Sequence, residues 1–78
     1  MYSPHKVRQV MEYLIGPEGR KFKYKILGYY DPEDYTTKHF VAYYITDDNA
    51  NIGIGKLHQT LRRAELDIEK DYENRSGG

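Results

Sequence analysis

Three histidines are the side chains of this sequence best suited to bind a metal ion or to move a proton. His5, His39 and His58 stand far apart along the chain, and each falls on a different predicted element. A zinc site needs several such ligands to converge, and no local spacing brings these together. The sequence contains no cysteine, which excludes disulfides, thiolate metal sites and cysteine nucleophiles. We therefore expect no metal site.

Carboxylates form two groups that could act as acids or bases. One group consists of Asp31, Glu33 and Asp34, and the other of Asp47 and Asp48. Both lie in stretches that we predict to be solvated loops, where nothing would raise the pKa of a carboxyl group for acid catalysis. No serine or threonine has the setting of an activated nucleophile. We predict that the protein is not an enzyme and needs no cofactor.

A run of polar residues resembles the start of a calcium-binding loop. Asp47, Asn49 and Asn51 occupy the first three ligand positions of such a loop. The required glycine comes one place late, at Gly53, and the twelfth position is His58 instead of the bidentate glutamate. We interpret the run as a polar connecting loop.

The segment GIGK, residues 53–56, resembles part of a phosphate-binding loop. Backbone N–H groups at the start of a helix favour an anion. The complete phosphate-loop pattern is absent, and Leu57 stands where a magnesium-binding hydroxyl would be needed. A nucleotide-hydrolysing site is excluded, and only a looser anion contact remains open.

Charge is balanced over the whole chain but not along it. There are 12 basic and 12 acidic residues. Residues 1–30 carry six basic and two acidic side chains, whereas residues 31–50 carry one basic and five acidic. A chain without net charge has no overall attraction for nucleic acid.

The hydropathy pattern bears on location. No apolar segment approaches the roughly 20 residues of a membrane span, and the N-terminus lacks the apolar stretch of a signal peptide. Together with the lack of cysteine, this pattern predicts a soluble, cytoplasmic protein with no membrane partner.

The first element that would position these side chains has a helical period. Ser3 is a suitable N-cap, Pro4 suits the first turn, and Gly16 with Pro17 would end the helix. We predict a helix over residues 3–15. Its apolar stripe consists of Val7, Val10, Met11 and Leu14.

Two strands follow, over residues 21–30 and 38–46, and they pair most simply as an antiparallel hairpin. We expect one face of the hairpin to pack in the core. That face carries Phe22, Tyr24, Ile26, Tyr30, Val41, Tyr43 and Ile45. The other face would carry Lys21, Lys23, Lys25, Leu27, Tyr29, Phe40, Ala42 and Tyr44.

A second amphipathic helix is predicted over residues 56–72, and residues 73–78 form a tail that we expect to be frayed. Its stripe consists of Leu57, Leu61, Ala64, Ile68 and Tyr72. The predicted fold class is therefore α+β, a single small domain over residues 1–78. Its order is α-β-β-α, with an antiparallel β-hairpin packed against two helices.

The second predicted helix has a charge order opposed to its dipole. Basic residues fill its beginning and acidic residues its end, which costs about 0.3–1 kcal/mol per charge. With elements alternating in direction, that beginning would lie near the turn that precedes the first strand. The resulting cluster is either ordinary solvated charge or a contact for an anion. It consists of Arg20, Lys56, His58, Arg62 and Arg63.

The second hairpin face has three interpretations. The helices could cover it, in which case it has no binding role. It could bind a protein, including a second copy of the chain paired along an edge strand. It could also stack nucleic-acid bases while its lysines contact phosphates. A face that neither the helices nor a partner covered would expose a large apolar patch, which consists of Leu27, Tyr29, Phe40 and Tyr44.

We expect a small non-catalytic regulator or inhibitor that binds a protein, either a different protein or a second copy through the hairpin. Tyrosine and arginine are common in binding hot spots, and the chain has nine Tyr. Small accessory proteins of phages and other mobile elements share this outline, although no motif specifies a source. The binding face would consist of Lys21, Lys23, Lys25, Leu27, Tyr29, Phe40 and Tyr44.

The alternative is a nucleic-acid-binding protein. The basic cluster would then contact phosphates, and the lysine strip would extend the footprint. Zero net charge weighs against this alternative, because phosphate neutralisation supplies most non-specific affinity.

Overall fold

Four strands and one helix make up the chain in a computed structural model that describes residues 6–33 and 35–77. The strands lie antiparallel in the order β1-β2-β3-β4, with β1 and β4 at the edges. The elements are β1 (Lys6–Ile15), β2 (Phe22–Tyr30), β3 (Thr37–Ile45), β4 (Asn51–Gly53) and α1 (Leu61–Ser76). The hairpin of β2 and β3 confirms the prediction of two antiparallel strands, within one residue at each end.

The predicted α-β-β-α order is wrong, because residues 6–15 form a strand and not a helix. The beginning of the predicted helix, residues 3–5, lies outside the described residues. The chain reverses after β1 in a tight turn, in which the Arg20 N–H donates to the Pro17 carbonyl over 3.0 Å. Gly16 and Gly19 have φ values of 130° and 87°, which only glycine adopts without strain.

A β-bulge explains why β1 has the apolar spacing of a helix. The pairing of β1 with β2 shifts register between Gln9 and Met11, so Val10 is an extra residue. A side chain at Gly28 would lie 2.6 Å from a methyl carbon of Val10, so glycine at that position leaves space for the bulge. Odd-numbered residues of β1 therefore lie on one face before the bulge and on the other face after it. The apolar residues Val7, Val10, Met11 and Leu14 consequently follow one another at intervals of three, one and three positions.

The helix begins five residues later than predicted and ends four residues later. Thr60 is the N-cap, and its hydroxyl accepts from the Arg63 N–H at 3.3 Å. The chain before Thr60 is extended, since His58 exchanges two backbone hydrogen bonds of 2.7 and 2.9 Å with Phe40. At the other end α1 continues to Ser76, so most of the predicted frayed tail is helical.

The core lies between α1 and the two central strands. Its buried members are Tyr24, Ile26, Ala42, Ala64 and Ile68. We call the side of the sheet that packs against α1 the covered face, and the opposite side the open face. Around the buried core lie half-buried apolar side chains from all three long strands, from α1 and from the segment after β4. These are Tyr13, Ile15, Phe22, Phe40, Tyr44, Ile54, Leu61 and Tyr72.

Tyr24 is fully buried, and α1 satisfies its hydroxyl group. The hydroxyl donates to Asp71 Oδ2 over 2.8 Å, and the same carboxylate oxygen accepts from Arg75 Nε at 2.5 Å. Burial, together with the hydrogen bond to Asp71, raises the pKa of Tyr24. The Arg75 guanidinium lies 3.8 Å from the ring centroid of Tyr44, so this polar group joins α1 to both central strands.

The predicted faces of β3 are wrong. Tyr24 pairs with Tyr44 and Ile26 with Ala42, which places Phe40, Ala42 and Tyr44 on the covered face. Val41, Tyr43 and Ile45 consequently lie on the open face. The sequence of β3 is apolar at both sets of positions, so its pattern could not select one face for the core.

The segment between β4 and α1 is fastened to the helix at one point. His58 Nε2 lies 2.7 Å from Asp67 Oδ2, and both side chains are largely shielded from water. Gly55 packs against this carboxylate so closely that a Cβ atom there would overlap it. Within 4 Å, a Cβ atom at Gly53 would meet one atom of the described residues, a ring carbon of Tyr43 at 3.9 Å.

We predict that Gly55→Ala lowers the free energy of unfolding by about 1–3 kcal/mol, because the new methyl group must displace Asp67 from His58. Urea unfolding followed by circular dichroism measures the change. Gly53→Ala is the matched control and should change stability by less than about 0.5 kcal/mol. Equal effects of the two substitutions would contradict the predicted role of Gly55.

Candidate protein-binding surface

The open face of the sheet carries a mixture of apolar, aromatic and basic side chains. In the described part of the chain α1 is the one helix, and it packs on the covered face. Among the described residues, the open face therefore has no second layer. Its residues are Val7, Gln9, Glu12 and Leu14 from β1, Lys23, Lys25, Leu27 and Tyr29 from β2, and His39, Val41, Tyr43 and Ile45 from β3.

Two tyrosines shield the centre of the open face. Tyr29 and Tyr43 share a hydrogen bond between their phenol groups, and the pair Leu27–Val41 lies between them in the register. The two rings therefore lie across this pair, and Val41 is only 8% exposed although no helix or strand of the described residues lies over it. The hydrogen bond, together with burial, raises the pKa of Tyr43 to about 12.

The β1 side of the surface lacks such shielding. Val7 is 48% exposed and Leu14 is 60% exposed, both on the open face. Met11 lies on the covered face and is still 39% exposed, because α1 sits over β2 and β3. A hydrogen bond joins α1 to β1: the Tyr13 hydroxyl donates to Glu65 Oε2 over 2.6 Å. Burial, together with this hydrogen bond, raises the pKa of Tyr13 to about 12.

Lysines border the apolar part at the end of the open face near the turn. Lys21 and Lys23 line a cavity of about 190 Å³ together with Leu14 and Ile45. Asp47, an acidic residue, lines the same cavity. Lys25 follows on the same strand, opposite Glu12. This end of the face is therefore predominantly basic.

The structure brings together most of the predicted binding face. Lys23, Lys25, Leu27 and Tyr29 share the open face, and Lys21 adjoins them. It does not bring Phe40 and Tyr44 there, because both pack against the core on the covered face.

Five apolar or aromatic residues of the open face were not predicted there. Val7 and Leu14 were assigned to a helix, while Val41, Tyr43 and Ile45 were assigned to the core. The alternation of exposed and half-buried residues within β1 has no regular period, because of the bulge at Val10. No simple pattern in the sequence could have identified this strand.

The five residues of the predicted anion contact do not form one cluster. The Arg20 guanidinium lies 5.9 Å from the Phe22 ring centroid, and Phe22 packs on Tyr72 near the end of α1. Ten helical residues, about 15 Å, separate Tyr72 from Arg62. The expectation that the start of the helix lies beside Arg20 is therefore wrong.

The remaining members of that set are partly engaged in ion pairs. His58 contacts Asp67, and Arg62 Nη1 lies 2.9 Å from Glu69 Oε2. Lys56 and Arg63 are exposed and line a shallow depression beside Leu57.

Within residues 6–33 and 35–77, no three histidine or carboxylate side chains lie close enough to hold a metal ion. No helix of the described residues has the length and apolar character needed to cross a membrane.

Comparisons of the chain with protein-family models, curated proteins and solved structures gave no match.

We predict that Tyr29→Phe lowers the pKa of Tyr43 from about 12 toward the ordinary value of 10.0, because it removes the hydrogen bond between the phenols. In the wild type, the stabilisation from this pair is fully present below pH 10.0 and is lost as the pH rises through about 12, since the folded state holds the proton more tightly.

Titration of the Tyr43 ring carbon by nuclear magnetic resonance measures this pKa. Tyr35→Phe serves as the control, because the Tyr35 ring stacks on Tyr30 and does not take part in the Tyr29–Tyr43 hydrogen bond. An unchanged Tyr43 pKa in Tyr29→Phe would show that burial alone raises it.

Proposed function

We propose that this chain is a small non-catalytic regulatory or inhibitory protein that binds another protein through its open face. The observation that carries the proposal is the exposure of Val7 and Leu14 on a sheet face that no element of residues 6–33 and 35–77 covers. Apolar side chains beside lysines and tyrosines are typical of a binding surface with an apolar centre and a polar rim.

The charge of the open face indicates the chemistry of its partner. Lys21 just before β2 and Lys23 and Lys25 within it make this end basic, with Glu12 opposite Lys25 and Asp47 in the cavity that Lys21 and Lys23 line. The partner surface should therefore combine apolar contacts with aspartate or glutamate at one end. Such complementary charge would mainly accelerate association and select the partner. We place this interaction in the cytoplasm, because the sequence has no cysteine to stabilise it in an oxidising compartment.

Nucleic-acid binding is the second candidate, favoured by one observation. Tyr43 lies opposite Lys25 on the open face and shares a hydrogen bond with Tyr29, and aromatic rings with neighbouring lysines on a sheet can stack single-stranded bases. The chain has no net charge, and the basic residues outside the open face are dispersed. These facts favour the protein partner.

We expect Lys23→Glu/Lys25→Glu to abolish capture of the protein partner, because it reverses the charge of the basic end. The tagged chain and its variants are used to capture proteins from the native cell, with nuclease treatment. Lys56→Glu/Lys70→Glu, which makes the same change of net charge on exposed residues elsewhere, is the control and should retain the partner.

Two results of the capture experiment would contradict the proposal. One is a set of captured proteins that is identical for both double variants and the wild type. The other is a set that is lost on nuclease treatment, which would indicate that nucleic acid mediates retention.

The alternative function predicts a different behaviour with salt. If single-stranded nucleic acid binds the open face, its affinity should fall steeply as the salt concentration rises, by about tenfold or more between 50 and 200 mM. We expect no binding of single-stranded DNA or RNA oligonucleotides even at about 50 mM salt, measured by fluorescence anisotropy. Salt-sensitive binding that Lys23→Glu/Lys25→Glu removes would support the alternative.

A further inference from the structure

The free edge of β1 provides a second surface, which goes beyond the proposed function. β1 is an edge strand of ten residues, and none of β2, β3, β4 and α1 pairs with its outer side. An edge strand of this length with exposed apolar side chains on both faces is prone to pair with another strand. Val7 and Leu14 are exposed on the open face, and Met11 on the covered face.

We propose that β1 pairs antiparallel with β1 of a second copy, around a two-fold axis between Val10 and Met11. The two sheets would then join into one continuous sheet, with both helices on the same side. The interface is isologous, because the same strand serves both copies.

The faces of β1 select this register. Residues opposite each other in paired strands must lie on the same face of the sheet. The bulge divides β1 unevenly between the faces. The open face carries Val7, Gln9, Glu12 and Leu14, and the covered face carries Lys6, Arg8, Val10, Met11, Tyr13 and Ile15.

With the axis between Val10 and Met11, all ten residues of β1 meet a residue from the same face of the second copy. An axis through Val10 would pair Val10 with itself. All the remaining pairs would then place an open-face residue opposite a covered-face residue. An axis through Met11 has the same defect. Axes farther along the strand leave fewer residues paired. Because of the bulge, one register alone pairs the whole strand with matching faces.

The side chains brought together in this register are compatible. Val7 would lie opposite Leu14 of the second copy, and Val10 opposite Met11. Each exposed apolar residue of β1 would therefore meet another apolar residue, on both sides of the axis. Gln9 would lie opposite Glu12, where an amide N–H can donate to the carboxylate. No two like charges would face each other.

Arg8 and Tyr13 form the remaining polar pair. The Arg8 guanidinium lies on the covered face, where it donates to Thr37 Oγ1 over 2.6 Å. It would lie opposite Tyr13 of the second copy, whose hydroxyl is bound to Glu65. The new neighbour is an aromatic ring with a carboxylate behind it, both favourable for a guanidinium.

A pair of charge variants tests both the dimer and its register. Val7→Lys/Leu14→Lys places lysine opposite lysine twice in each dimer and should raise the dissociation constant about tenfold or more. Val7→Lys/Leu14→Glu places lysine opposite glutamate and should retain the dimer. Leu57→Lys, at an equally exposed apolar residue outside the sheet, is the control and should dimerise like the wild type.

Sedimentation equilibrium of the purified chain measures the dissociation constants, and circular dichroism confirms that each variant folds. A wild-type chain that stays monomeric at about 100 μM, in the concentration range of weak complexes, would overturn the proposal. So would equal dissociation of the two charge variants. Because no other protein is present, failure here is distinct from failure of the open face to bind its partner.

Cysteine pairs test the register independently. The natural sequence has no cysteine, so Val7→Cys/Leu14→Cys introduces the two thiols of each chain. They lie too far apart on one strand to join within a chain, but opposite positions of paired strands lie about 4.5–5.5 Å apart. Mild oxidation should yield a covalent dimer. Gln9→Cys/Leu14→Cys is the control, and an equal yield from it would overturn the register.

Discussion

One helix must close the core of a four-stranded sheet, and the remainder of the surface follows from that constraint. The axes of the two outer strands of a four-stranded sheet lie roughly 14 Å apart, and their side chains extend the sheet further, whereas a helix with its side chains is about 10–12 Å wide. α1 lies over β2 and β3, where Tyr24, Asp71 and Arg75 form a shared polar contact. β1 therefore lies beyond the helix, and its Met11 remains partly exposed on the covered face.

The two edges of the sheet differ in their protection. On the β3 side, β4 and the backbone of His58 form hydrogen bonds with the outer edge of β3. The contact between His58 and Asp67 holds this segment against α1. On the β1 side, nothing in residues 6–33 and 35–77 pairs with the outer edge. The open face is likewise shielded by Tyr29 and Tyr43 at its centre and left apolar near β1. The unprotected surface is therefore concentrated on one strand.

The sequence predicted the parts of the fold that have a regular period. β2 alternates strictly and was predicted almost to the residue, whereas β1 was mistaken for a helix because its bulge at Val10 imitates helical spacing. The faces of β3 were exchanged, since both of its faces are apolar. The start of α1 was placed too early because backbone pairing of His58 with Phe40, which is distant in sequence, keeps the preceding segment extended. Lys23, Lys25, Leu27 and Tyr29 were predicted to share one face of the sheet, and they do, because their positions depend on β2 alone.

Residue-specific hydrogen exchange of the β1 amides tests the central claim most directly, namely that Lys6–Ile15 is an edge strand whose outer side pairs with a second copy. In dilute solution, alternate amides should be protected by β2 while those between them exchange rapidly. At high concentration the second set should also become protected. Protection of consecutive amides along the whole strand in dilute solution, as in a helix, would contradict the account, and so would exchange that does not change with concentration.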